Sequence, residues 1–252
     1  MRFFYDNELD KTGVIVTPSS EVSTLPAINI LNEFKSKPWR TGTSVATETL
    51  VMNLGSAKAI TSIILHGHTL TSGDTTIKVE ANSADAWGAP PFTQALTFAA
   101  NTIGQVFGSQ SFQFWRLSFT KSAAGVSRDI GRIHLGTYYE TTEQPDHEGY
   151  SETLDDVDRQ TRSLGGQVYT EVVNGFNTIR ADFSKSPHTQ VDSIKTVAIA
   201  VRRYKSFFIQ TDTVTPLDTF YYVKLKKTYA RSVAGMDSNL IWNVGLEMEE
   251  QV

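Results

Sequence analysis

Two histidines one residue apart, His66-Gly67-His68, are the first side chains in the sequence whose types and spacing could do chemistry. In a strand, positions two apart point to the same side. The two imidazoles could then share a divalent cation, provided a third ligand joins them. Asp74 is the nearest carboxylate that a turn could bring round. The competing reading is structural, with both rings half-buried and hydrogen-bonded at a strand end. Arg40 after Trp39, and Arg116 inside Phe114-Trp115-Arg116-Leu117, are charges set in apolar surroundings. Such arginines snorkel or pair with carboxylates, and the alternative is a ligand-binding arginine at a rim. Trp39 and Trp87 offer flat apolar faces on which a sugar ring can stack. Trp87 precedes Gly88-Ala89-Pro90-Pro91, a loop composition in which binding residues are common. Packing the loop down is the alternative use of that ring.

Other chemistry is missing from the sequence. There is no GxSxG, HExxH, Walker or GxGxxG pattern, so the chain is expected to be non-enzymatic. Asp155, Asp156 and Asp158 match the start of a calcium loop only loosely, because the glycine and distal glutamate of that loop do not follow. No cofactor and no metal are expected. The 252 residues contain no cysteine, which removes disulfides and thiolate sites together. The formal charge is -4, against the basic face that a nucleic-acid partner requires. No apolar run approaches the length of a membrane span, and the first residues, Met1-Arg2-Phe3-Phe4-Tyr5-Asp6, do not read as an export signal.

The elements that must position these side chains are mostly strands. Val14 to Val16, Leu50 to Leu54 (ending at Gly55) and Ile60 to His66 are β-type runs. Thr75 to Ala81 alternates strictly, with Ile77, Val79 and Ala81 on one face. The run Phe112 to Thr120 has aromatics on both faces and is expected to be a central strand covered on both sides. Ile130 to Gly136 closes the series. Residues 140–158 then hold eight acids and no Lys or Arg. They read as a solvated linker, or alternatively as a docking arm that reaches a basic patch on a neighbouring subunit. Beyond them lies one helix candidate. Ser186 can cap it, Pro187 suits its first position, Val191, Ile194, Ala198 and Val201 share a face, and Arg202, Arg203 and Lys205 suit its C-terminal end. A strand over Thr196 to Val201 competes. The last run alternates, with Leu240, Trp242, Val244 and Leu246 on one face, and the acids of Leu246 to Glu250 suit an edge strand. The expected fold is mainly β, a sandwich over 1–141, an acidic linker over 142–160 and a β-rich assembly domain with one helix over 161–252.

The order of motifs in the first half resembles the discoidin family, the coagulation-factor type C or galactose-binding-like domains. It runs Leu25-Pro26-Ala27-Ile28-Asn29-Ile30-Leu31, Pro38-Trp39-Arg40-Thr41, Leu50 to Gly55, Ile60 to Leu65, Phe114-Trp115-Arg116-Leu117 and Ile130-Gly131-Arg132-Ile133. The likeness covers roughly residues 20–139 and implies a jelly-roll β-sandwich. With His66-Gly67-His68-Thr69-Leu70 and a closing Ile130 to Gly136, the copy looks most like those in bacteriophage tail proteins. The resemblance implies a structural part of a virion tail tip or baseplate, assembled in the host cytoplasm. It implies partners in copies of itself, arranged as a ring, and in the tail tube and hub. The alternative is a module that attaches to a host glycan. Trp39, Arg40, His66, His68 and Trp87 are the candidate ligand or interface residues.

Overall fold

The computed structural model describes residues 1–34, 36–123, 125–146, 148–155, 159–171, 175–212, 220–235 and 241–251, with the backbone alone at 159, 160, 170, 171 and 235. Asp156, Asp158 and Leu240 lie outside the described residues. Among the described residues the chain is mainly β with one α-helix, as its alternating runs predict, and it divides into two compact units.

The first unit spans Arg2–Tyr138 and takes in residues of the stretch Gln210–Phe220. Its strands are β1 (Arg2–Asn7), β2 (Ile15–Pro18), β3 (Trp39–Arg40), β4 (Thr47–His68), β5 (Thr75–Asn82), β6 (Phe92–Ala95), β7 (Thr102–Thr120) and β8 (Asp129–Glu140). The runs Leu50 to Leu54 and Ile60 to His66, expected as two strands, are halves of the single strand β4. Gly55 does not end a strand. It sits at φ 77°, in the left-handed region that glycine adopts without strain. The pairing with β7 loses register between Asn53 and Lys58 at that point. The first half of β4 lies between β2 and the second half of β7. The second half lies between the first half of β7 and β8. Two long strands therefore pass from one half-sheet to the other through irregular corners, the device by which sandwiches share strands.

The second half of β7 also pairs β5, which makes it the interior strand that its two apolar faces predict. Trp115, Leu117 and Phe119 on one face are buried, while Phe112, Phe114 and Arg116 on the other are half-buried. A single apolar cluster joins both half-sheets, with Leu50 and Met52 from one half of β4, Ile63 and Leu65 from the other, Val79 from β5, Trp115 from β7 and Ile133 from β8. This is the antiparallel β-sandwich that the discoidin resemblance implies.

The second unit comprises Met1, Tyr139–Ile209 and Tyr221–Val252. Its elements are β9 (Tyr150–Asp155), β10 (Arg159–Arg162), β11 (Val168–Glu171), β12 (Phe176–Pro187), α1 (His188–Val201), β13 (Phe207–Gln210), β14 (Phe220–Leu225), β15 (Ala230–Gly235) and β16 (Ile241–Glu250). The main sheet of this unit runs β13-β14-β16-β12-β9, with β15 also on β16 and β10-β11 forming a separate ribbon.

Two expectations are corrected here. The stretch read as a linker, 142–160, contains β9, which is paired with β12 from Tyr150↔Ala181 to Asp155↔Phe176. Its acids have partners in the unit: Glu152 accepts from the Tyr221 hydroxyl at 2.9 Å, and Asp146 accepts from the Ser184 amide at 2.9 Å. The C-terminal strand β16 is not an edge. It pairs β12 on one side and β14 and β15 on the other, and Glu247 meets the lysines 226 and 227 rather than guarding a free border. The helix forms where its periodicity predicts. Val191, Ile194, Val197, Ala198 and Val201 are buried, so the competing strand over Thr196 to Val201 does not form. The cap position falls on Pro187 rather than Ser186. Ser186 instead accepts from the Gln190 side chain, one turn on.

Candidate functional site

Of the five candidate residues, Trp39, His66 and His68 are buried, while Arg40 and Trp87 are only partly covered. Trp39 is fully buried. Its indole N–H donates to the Ser20 carbonyl at 3.1 Å, and its ring meets Phe119 edge-on at 6.4 Å. A sugar cannot stack on it. Arg40 donates from Nε and Nη2 to the two carboxylate oxygens of Asp129, both at 2.7 Å. That fork satisfies the carboxylate and ties β3 to the start of β8.

His66 and His68 are each 9% exposed near the end of β4. The His66 Nδ1 shares a hydrogen bond with the Thr102 hydroxyl at 2.9 Å, and His68 lies edge-on to Phe98 at 6.2 Å. Burial pushes the His68 pKa below its ordinary value, against the pull of the Asp74 carboxylate. Gly67 between them has φ 64°, outside the extended region that regular alternation assumes. Asp74, the third ligand considered, accepts instead from Arg128 Nε at 2.8 Å, the Thr71 amide at 2.7 Å and the Ser122 amide at 2.8 Å. Among the described residues no group of three His, Asp or Glu side chains could hold a metal ion. The two histidines are core side chains.

Trp87 is different. It lies in the loop between β5 and β6 and is only partly buried. The loop is pinned by Asn82, whose amide nitrogen donates to the Ala86 carbonyl. The Trp87 indole N–H donates to Asp85 at 2.6 Å, and the Arg116 guanidinium carbon stands 4.5 Å from the ring centroid. Arg116 is in turn fixed by Glu80, accepting from its Nε at 2.8 Å and Nη2 at 2.6 Å, while Lys78 donates to the other Glu80 oxygen at 2.7 Å. Burial would raise the Glu80 pKa, but the two cations outweigh it and hold the carboxyl below its usual range. The arginine set inside an apolar strand is thus paired, and it also supports the tryptophan. The arrangement sets an indole, a carboxylate and a guanidinium side by side. That set can cover the apolar face of a ring and bond to its hydroxyls.

Buried ion pairs among the described residues escaped the sequence reading, two of them around Glu48 and Asp74. Glu48 and Lys121 form a fully buried pair at 2.8 Å; Lys121 also donates to the Gly42 carbonyl, and Glu48 accepts from the Ser19 and Ser20 hydroxyls at 2.7 Å. Asp74 and Arg128 form the second. The partners stand 73 and 54 positions apart. Only the presence of a charge beside an apolar run could have hinted at either.

No protein-family model and no curated protein matches the chain. Solved structures do show a similar backbone. A Ruminococcus gnavus fucosidase in complex with fucose aligns at 12% identity and a TM-score of 0.46, over 55% of this chain. The alignment takes in only 28% of the fucosidase. A fucose-binding module of Streptococcus pneumoniae aligns at 12% identity and a TM-score of 0.43, over 54% of this chain and 99% of its own. A chitosan-binding module from a Paenibacillus chitosanase/glucanase aligns at 13% identity and a TM-score of 0.40, over 52% and 99%. At these values no residue role and no ligand passes from those proteins to this one.

Proposed function

We propose that the first unit is a non-catalytic carbohydrate-binding module whose contact surface centres on Trp87. The observation that carries the reading is the partly exposed indole, braced by Asp85 and Arg116 on a pinned loop. A sugar would lay its C–H face on the indole and its hydroxyls against the carboxylate and guanidinium. The discoidin resemblance of residues 20–139 leads the same way. Screening the full chain on a glycan array, followed by calorimetry on the best sugar, tests it. Trp87→Ala should weaken binding by about tenfold or more, the scale of losing one stacked aromatic, with an unchanged melting temperature. A wild-type chain that binds no sugar at millimolar concentration overturns the reading.

A second reading places the protein in a bacteriophage tail tip or baseplate, assembled in the host cytoplasm and acting through contacts with its own copies, the tail tube and the hub. The motifs His66-Gly67-His68-Thr69-Leu70 and Ile130 to Gly136 support it. So does the ribbon β10-β11, which stands outside the main sheet of the second unit with Leu164, Val168 and Tyr169 exposed. Co-expression with candidate tube and hub proteins, read by native mass spectrometry, checks it. A chain that joins none of them and stays monomeric counts against it. The two readings are compatible, since an assembly unit can carry a sugar-binding one.

A further inference from the structure

At its C-terminal end α1 borders a pocket of about 500 Å³. Ala198, Ile199 and Leu225 supply its apolar lining, and Lys195, Arg202 and Arg203 bring positive charge to it. Ile199 is 56% exposed although it is an aliphatic side chain on a packed helix. None of the three cations forms an ion pair among the described residues, in a chain whose net charge is negative. Arg202 and Arg203 suit the negative end of the helix dipole. That role explains neither Lys195, which lies near the middle of α1, nor the exposed Ile199. Arg202 also holds φ 47°, a left-handed conformation that a residue with a side chain adopts at a cost.

The chain carries a complementary element on the same unit. Among the described residues, strand β9 stands at the end of the sheet and its strand partner is β12. Glu152 and Leu154 share one face of it. Leu154 is 62% exposed. Glu152 accepts from the Tyr150 hydroxyl on one oxygen and from the Tyr221 hydroxyl on the other, which orients it and still leaves a lone-pair site on each oxygen, since a carboxylate has about four. Over 140–155 the sequence has six acids and no Lys or Arg.

We propose that the pocket receives β9 of a second copy of this chain, with Leu154 entering the apolar lining and Glu152 meeting Arg202 and Arg203. Carboxylate to arginine is the strongest exposed pairing available, and a leucine between charged neighbours gives the contact its apolar centre. Acceptor and donor are different surfaces. One contact therefore leaves a free acceptor on one copy and a free donor on the other, the condition for a ring or a filament. The contact is small, so a dissociation constant on the order of 10 µM is expected. It deepens the assembly reading by naming its self-contact, and it owes nothing to the tail partners or to sugar binding.

Sedimentation velocity of the full chain, from about 1 to 200 µM and at about 50 and 500 mM salt, tests it. Wild type should associate with rising concentration, less so at high salt. Leu154→Asp, and separately Arg202→Glu with Arg203→Glu, should each raise the dissociation constant about tenfold or more. Adding Glu152→Arg to the double glutamate variant should restore association. All these positions are on the surface, and melting temperatures confirm that each variant is folded; Leu154→Ser replaces any that is not. A chain that stays monomeric throughout, or that associates equally well in every variant, overturns the proposal. Glycan binding and recruitment to tail proteins are read in separate assays, so their failure and this one are distinguishable.

Discussion

Asp74 and Arg128 show how a residue that looks like a ligand becomes a structural one. The Asp74 side chain is fully covered, and burial alone would raise its pKa. Arg128 and the Thr71 and Ser122 amides more than offset this and bring it down from 3.8 to about 2. A carboxylate depressed in the fold contributes stability that is present above its unfolded pKa and lost as the pH falls through the folded one. The pair should therefore contribute roughly 2 kcal/mol at neutral pH that disappears between about pH 4 and pH 2. Arg128→Leu leaves the carboxylate buried and unpaired, and should cost about 3–5 kcal/mol in urea denaturation at pH 7. His68 acts at milder pH. Its folded pKa lies below 6.5, so on acidification the unfolded chain takes up a proton first. Stability should drop as the pH falls below about 6.5. His68→Leu should flatten that part of the profile, as followed by melting temperature against pH. At this scale the sequence was only partly legible. Trp87 could be picked out because glycine and prolines mark its loop. The structural alternative for His66 and His68, rings covered near a strand end, is what the fold shows, whereas Trp39 could not be told from a surface residue, because what covers it comes from far along the chain. Phe119, which meets Trp39, is 80 positions away.

Among the elements, periodicity was a good guide wherever the apolar residues gather on one face and the polar ones on the other. β5 and α1 are of this kind, and both appear where Ile77-Val79-Ala81 and Val191-Ile194-Ala198-Val201 place them. Gly55 misled because a glycine after a β run looks like a stop. Whether the chain stops or turns a corner depends on φ, which composition does not encode. Gly55→Val should destabilise the protein by about 1–2 kcal/mol, since a β-branched residue resists φ 77°. Gly55→Asn should cost less, because asparagine tolerates that region. The nearest atom to an added Cβ there is 4.0 Å away, so the cost reads backbone strain and not collision. The acidic stretch misled for a different reason. Charge composition describes the solvated face of a strand as well as it describes a linker, and β9 has most of its side chains in solvent.

For the whole molecule, the chain order and the compact units do not coincide. A cut at 141, where the sequence reading ends its sandwich, removes Gln210 and Phe220 from the first unit. Gln210 accepts from Arg2 at 3.2 Å. Phe220 lies 5.7 Å from the Phe4 ring and so close to Gly104 that a Cβ there would meet it at 2.4 Å. The fragment 1–141 should accordingly melt below the full chain's first transition and bind more of a hydrophobic dye, an outcome that differential scanning fluorimetry reads directly. A fragment as stable as the full chain would show that these two residues contribute little. No sequence period marks such a return, because one phenylalanine and one glutamine at a distance carry no pattern.

The long strand β4 has a consequence for how the first unit yields under load or heat. Because one uninterrupted backbone belongs to both half-sheets, neither layer can peel away while the other stays hydrogen-bonded. Loosening is expected to begin at the border strands β2, β3 and β6 or the loops that end them, and once it reaches β4 both layers go together. The corner at Gly55 thus makes two sheets into one cooperative body, and a surface fixed to either layer, the Trp87 loop included, keeps its shape until that body fails.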